Sequence, residues 1–128
     1  MKWLLAILFA AVPVMSQAGG NIDAAESRKI DYLISAIENL ENAQFIRNGK
    51  ALHGRVAAEN FRLKLRKPRC SVKTAEDFIR FCAAASCASG VPYEIRFADG
   101  NVVLAVDYLR ERLAKFESGG HMDRADET

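Results

Sequence analysis

A chain of 128 residues with 18 basic and 16 acidic side chains has room for one domain, and its net charge of +2 is too balanced to advertise nucleic acid or an anionic membrane as a partner. Half of the residues are hydrophobic, enough to build a core without the disulfide or metal staples that chains below about 70 residues need.

The chain opens with Met1 and Lys2, followed by an unbroken apolar run from Trp3 to Val14 and then Ser16-Gln17-Ala18-Gly19-Gly20. A short basic start, an apolar stretch and a small-x-small cleavage site are the three parts of an export signal. The run is too short to span a bilayer core of about 30 Å, which takes roughly 20 residues. Residues 1–18 therefore read as a signal peptide cut after Ala18. The expected mature chain begins at Gly19, lacks a transmembrane segment, and resides in the periplasm or outside the cell. Losing Lys2 leaves 17 basic residues against 16 acidic ones.

Asp23 followed by Glu26 marks a helix start in the capping-box pattern. Ile30, Leu33, Ile34, Ile37 and Leu40 then form one apolar stripe at helical spacing, with Arg28, Lys29, Asp31, Glu38 and Glu41 on the other side. Gln44 to Arg47 reads as a short strand, and Asn48-Gly49 turns it into a return strand over Lys50 to His53, because both turn residues tolerate positive φ. From Arg55 to Lys67 the pattern is helical, with Ala57, Ala58, Phe61 and Leu65 on one face and Pro68 as the stop. Arg62, Lys64, Arg66, Lys67, Arg69 and Lys73 form a basic stretch, for which a solvated face is the default.

Thr74 with Asp77 predicts a third helix from Ala75 to about Ser86. Phe78, Ile79, Phe81, Cys82 and three alanines leave it almost without a polar face, so it is expected to be central. Ser89-Gly90-Val91-Pro92 is loop chemistry. A second hairpin runs from Tyr93 to Phe97, turns at Asp99-Gly100 and returns over Val102 to Leu104. Val106, Leu109, Leu113 and Phe116 make the inner face of a last helix, and residues 118–128 read as a disordered tail. The prediction is a single α+β domain over residues 19–117, rich in helix, with about four helices and two short β-hairpins. The hairpins are expected to join in one antiparallel sheet, since a lone two-stranded hairpin is marginal in water.

Few residues offer chemistry. His53 and His121 are the histidines, and no Cys-x-x-Cys or His-x-x-x-His spacing occurs, so no metal and no cofactor is expected. Cys70, Cys82 and Cys87 allow one disulfide in an oxidising compartment. Cys70 with Cys82 is the easier pairing if the loop before the third helix folds back, and three buried, unbonded thiols is the equal alternative. Ser86 and Ser89 beside Gly90 could serve a small hydrolase or transferase with Lys73 or His53 as base, although serines beside glycine more often solve a helix end or a turn. No catalytic set results. The expected role is a non-enzymatic module that binds an envelope protein or glycan, with Arg47, Asn48, Arg62, Lys64, Ser86, Ser89, Tyr93 and Arg96 as contact residues. A purely structural dimer would instead show a self-complementary apolar patch on the first or last helix.

Taken as a set, Phe45-Ile46-Arg47-Asn48-Gly49, Ala57-Ala58 with Leu63-Lys64-Leu65, Lys73-Thr74-Ala75-Glu76-Asp77-Phe78-Ile79, Ala85-Ser86, Ser89-Gly90-Val91-Pro92-Tyr93, Ile95-Arg96, Asp99-Gly100 and Leu109 carry a resemblance. The chain resembles the YfeK-like family of small exported bacterial proteins, a domain of unknown function, over roughly Ile30 to Leu113. The resemblance implies export and a single domain and brings no activity with it. The sequence departs from the family's pattern at Leu52, at Asn60-Phe61 and at Cys87.

Overall fold

A computed structural model describes residues 22–67, 71–86 and 89–126, with side chains described as far as residue 119. The export segment, the Pro68 helix stop, Cys70 and Cys87 lie outside the described residues, and so therefore does the Cys70–Cys82 pairing.

The first helix, α1 (Ala24–Glu38), starts where its cap predicts, with the Asp23 carboxylate accepting the Glu26 N–H. Its stripe of Ile30, Leu33, Ile34 and Ile37 is buried. Strands β1 (Ala43–Arg47) and β2 (Lys50–Leu52) form the first hairpin. Asn48 and Gly49 both take positive φ, 52° and 77°, the combination of a type I′ turn, whose twist suits a two-residue hairpin. Helix α2 (Gly54–Leu65) begins one residue earlier than its sequence pattern, because the His53 ring nitrogen Nδ1 accepts the Arg55 N–H as a cap. Strands β3 (Glu94–Phe97) and β4 (Val102–Leu104) form the second hairpin, and α4 (Ala105–Asp126) follows without a loop.

The two hairpins join through β1 and β3, giving one antiparallel sheet in the order β2-β1-β3-β4. The register sets Phe45 opposite both Leu52 and Ile95, and Ile95 opposite Val103. These residues share one face of the pleat, and the helices cover that face. Phe45, Phe61 and Tyr93 stack with centroids 5.2–6.1 Å apart, and Phe78 meets Phe61 edge-on at 5.7 Å. Among the described residues the fold is α+β with four α-helices and a four-stranded antiparallel sheet, as the alternation of patterns predicts.

The third helix differs from its expectation. Only Ala75–Asp77 is α-helical (α3), capped by reciprocal hydrogen bonds between Thr74 and Asp77, and Phe78–Ala83 winds as a π-helix. The wider turn has a packing reason: Phe78, Ile79, Cys82 and Ala83 all reach the core while Arg80 and Phe81 stay outside. A plain α-helix at 100° per residue spreads four such positions over a broader arc. Position is as expected, since this segment packs against α1, α2 and α4.

Helix α4 continues to Asp126, through part of the stretch that its polar, glycine-bearing composition assigns to a tail. Its outer half is held to α1 as far as residue 117: Phe116 lies 4.7 Å from the Tyr32 ring, and Glu117 pairs with Lys29 at 3.0 Å. No proline follows to stop the winding.

Candidate functional site

The I′ turn aims the tip of the first hairpin at the loop that precedes β3. There the Ser89 hydroxyl donates to the Asn48 side-chain oxygen at 2.6 Å and accepts the Val91 N–H at 3.2 Å. Two residues 41 positions apart are thus pinned together, and the backbone continues the link. Ala85 bridges Pro92, Ser86 N–H donates to the Val91 carbonyl and Tyr93 N–H to that of Ala84. The end of the π-helix is stitched to the start of β3.

Beside this junction is an open notch of about 320 Å³ lined by Arg47, Asn48, Lys50, Leu52 and Asn60. Its chemistry follows from register. Arg47 and Lys50 are direct cross-strand partners, so two cations stand opposite each other at the end of the sheet. Like charges so placed repel. No acidic side chain lines the notch, and neither cation has an ion-pair partner among the described residues. Asn60 of α2 supplies an amide from the opposite wall. One turn further along α2, the Lys64 ammonium donates to the Tyr93 hydroxyl at 2.8 Å and to the Cys82 carbonyl at 3.1 Å, and lies 4.9 Å from the Tyr93 ring centroid. Those partners are neutral, so its charge adds to the positive potential at this end of the molecule.

Of the eight contact residues expected from sequence, six gather here: Arg47 and Asn48 in the notch, Ser89 and Ser86 in the adjoining loop, and Lys64 with Tyr93 behind it. The other two are elsewhere. Arg62 spans to α1 and grips Glu38 through two hydrogen bonds of 2.9 and 3.0 Å. That grip holds the Glu38 carboxyl below the usual carboxylate range and raises the Arg62 guanidinium in return. Arg96 lies on the uncovered face of the sheet and donates to Gln44 of β1 at 3.1 Å. Lys50, Leu52 and Asn60 belong to the notch and escape sequence reasoning. Lys50 is recoverable from the hairpin register, but Asn60 arrives only through the packing of α2.

The serine-and-base arrangement does not assemble among the described residues. Ser86 is 2% exposed and its hydroxyl has no hydrogen-bond partner, so neither Lys73 nor His53 stands within bonding reach of it. Ser89 is engaged by Asn48 and Val91, and His53 caps α2. Among the described residues no group of three or more His, Cys, Asp or Glu side chains could hold a metal ion, and no helix is long and apolar enough to cross a membrane. Among the residues whose side chains are described, the large apolar side chains left exposed (Val56, Leu63, Phe81, Val91, Val102 and Leu104) lie on α2, the π-helix, the loop and β4, and none is on α1 or on α4 up to residue 119.

Comparison with known proteins gives a family and adds no activity. The uncharacterised protein YfeK of Salmonella typhimurium is 36% identical over 76 residues, which make up 59% of this chain and 63% of that protein. The chain thus spans less than two thirds of that relative's length. No solved structure matches. A family model described as a family of unknown function, DUF5329, matches residues 24–117, which takes in both hairpins, the notch and every helix start. The chain belongs to this family of unknown function.

Proposed function

We propose that this protein is exported and works in the cell envelope as a non-catalytic binding module, capturing an anionic group of an envelope protein or glycan at the notch beside the first hairpin. The observation that carries the reading is the facing pair Arg47 and Lys50, set opposite each other by register with no acid among the described residues to neutralise them. An arrangement that repels itself in the free protein is relieved when an anion sits between the charges. The leader pattern of residues 1–18 supports the address.

Address and contact are tested separately. Intact mass of the protein from the periplasmic fraction is expected to begin at Gly19, and a mass beginning at Met1 in the cytosol refutes export. Beads carrying dextran sulfate, with neutral dextran as the control, are expected to retain the protein in a salt-sensitive way. The charge reversal Arg47→Glu with Lys50→Glu is expected to weaken retention by about tenfold or more. Retention unchanged by the reversal removes the notch from the proposal.

A further inference from the structure

We propose that a second groove, between α1 and α4, is a binding site for a compact monocarboxylate, held by Arg112. The groove has a volume of about 370 Å³ and is lined by Tyr32 and Ser35 of α1, Asn39 at its C-cap, Glu41 just beyond it, and Tyr108 and Arg112 of α4. That volume suits a small organic molecule. It lies near the start of β1, whereas the notch lies at the other end of that strand, roughly 13 Å away at strand rise. The inference therefore stands independently of the notch.

Arg112 is unlike the arginines that the fold uses for structure. Arg62 takes Glu38, Arg110 takes Glu76 at 2.7 Å and Arg96 takes Gln44. Arg112 makes no hydrogen bond and no ion pair among the described residues, and its Nε is sealed from solvent without an acceptor. Its guanidinium carbon lies 5.6 Å from the Tyr32 ring centroid, and Phe116, one turn along α4, packs on the same ring. The ring and the helix thus hold the guanidinium plane in place. A guanidinium held flat against Tyr32, with its charge unpaired, fits a carboxylate, whose two oxygens can take parallel N–H bonds from the two Nη groups.

The rest of the lining narrows the class. The half-buried rings of Tyr32 and Tyr108 offer walls for a carbon body, and Ser35 and Asn39 offer a hydroxyl and an amide for polar substituents. Glu41 lines the same groove without pairing to Arg112. Its charge opposes a dianion more than a monoanion, which favours a carboxylate over a phosphate.

The test follows the side-chain Nε–H resonance of Arg112 in the purified protein at constant ionic strength, titrated with sodium benzoate. Galacturonate, inorganic phosphate and neutral benzamide are the comparison probes. Benzoate or galacturonate is expected to move that resonance along a saturating curve, with phosphate markedly weaker and benzamide silent. Galacturonate binding the more tightly identifies a sugar acid as the source of the carboxylate, and benzoate the more tightly identifies a free aromatic acid. Arg112→Lys keeps the charge and loses the fork, so it is expected to weaken binding by about tenfold, read from Tyr32 and Tyr108 ring signals. Glu41→Gln leaves Arg112 in place and is expected to tighten binding by about threefold, as removal of one exposed like charge does. That second variant decides the matter even if Arg112→Lys fails to fold. Absence of any saturable shift at about 50 mM carboxylate, where a millimolar site is filled, overturns the proposal. So does phosphate binding as well as carboxylate, or Arg112→Lys binding as well as the parent.

Discussion

Gly54 sits in the first turn of α2, fully buried, where it meets the last turn of α1. Seen as a helical glycine, it invites replacement by alanine, which gains about 1 kcal/mol in helix propensity. The structure reverses the sign. A Cβ added there lands on the Ile37 carbonyl oxygen, well inside the 3.0 Å that real Cβ atoms essentially never breach, with the Glu38 carbonyl oxygen a further 3.4 Å neighbour. Both are backbone atoms and cannot rotate away. Restoring a contact of roughly 3.5 Å moves the helices apart by about an ångström, and a gap of that size forfeits up to about half of each dispersion contact along the seam. Overpacking of this kind costs about 1–3 kcal/mol, and a rigid obstacle puts it at the upper end. After subtracting the propensity gain, Gly54→Ala is expected to destabilise by about 2 kcal/mol, which lowers the melting temperature by roughly 8–16 °C in a domain of this size. Thermal and urea unfolding followed by circular dichroism measure it. Gly119→Ala is the matched control, since nothing lies within 4 Å of the added carbon there and the helix is expected to gain content without losing stability. A Gly54→Ala protein as stable as the parent refutes the close approach of α1 and α2.

Phe61 contacts the rings of Phe45, Phe78 and Tyr93 at the centre of the core, so Phe61→Ala is expected to cost about 3–5 kcal/mol by denaturant unfolding, and a loss below about 1 kcal/mol contradicts the packing. Gly49 has φ 77° in open space, so Gly49→Ala meets no obstacle and is expected to lose about 1 kcal/mol from backbone strain alone. Acid sensitivity follows from three carboxyls held below their ordinary values: Glu26 by the Ala75 N–H and then Lys29, Glu38 by Arg62, and Asp77 by the Lys73 and Thr74 N–H groups. A folded-state pKa below the unfolded one stabilises above the unfolded value of about 4 and is lost as pH falls through the folded value. Stability is therefore expected to be level from about pH 7 to pH 5 and to decline below about pH 4, and Glu26→Gln is expected to blunt that decline. A flat profile down to about pH 2 refutes these contacts.

Much of the architecture was legible because its signals are local. The cap at Asp23, the Thr74–Asp77 capping box and the Asn48-Gly49 turn each lie within a few residues and depend on backbone geometry that those residue types favour. Apolar stripes at helical and strand spacing told which residues face inward, and Ile30, Leu33, Ile34, Ile37, Phe61 and Ile95 are all buried. The hairpin pattern likewise contained the facing pair Arg47 and Lys50, since register follows from a two-residue turn. The first and last strands were within reach of the same reading, and the set of motifs from Phe45 to Leu109 carried the family resemblance.

What the chain alone left open depends on elements that meet across long sequence separations. Arg62 and Lys64 stand two residues apart on one helix, yet one grips Glu38 of α1 and the other reaches Tyr93, and only the packing of α2 between those partners divides their roles. The π-helical turn at Phe78–Ala83 arises because four residues must reach one core, a demand that local propensity does not contain. The groove around Arg112 exists only where α4 returns along α1. By itself the sequence determined most of the elements, their order and their inward faces, though not the π-helical winding of the third helix or the length of α4, because the former follow from local backbone preference and the burial of apolar surface. The tertiary structure alone decided the charge pairs between elements, Arg62 with Glu38 and Arg110 with Glu76, and which charges stand unpaired, because that depends on which side chains the folded elements bring within hydrogen-bond distance.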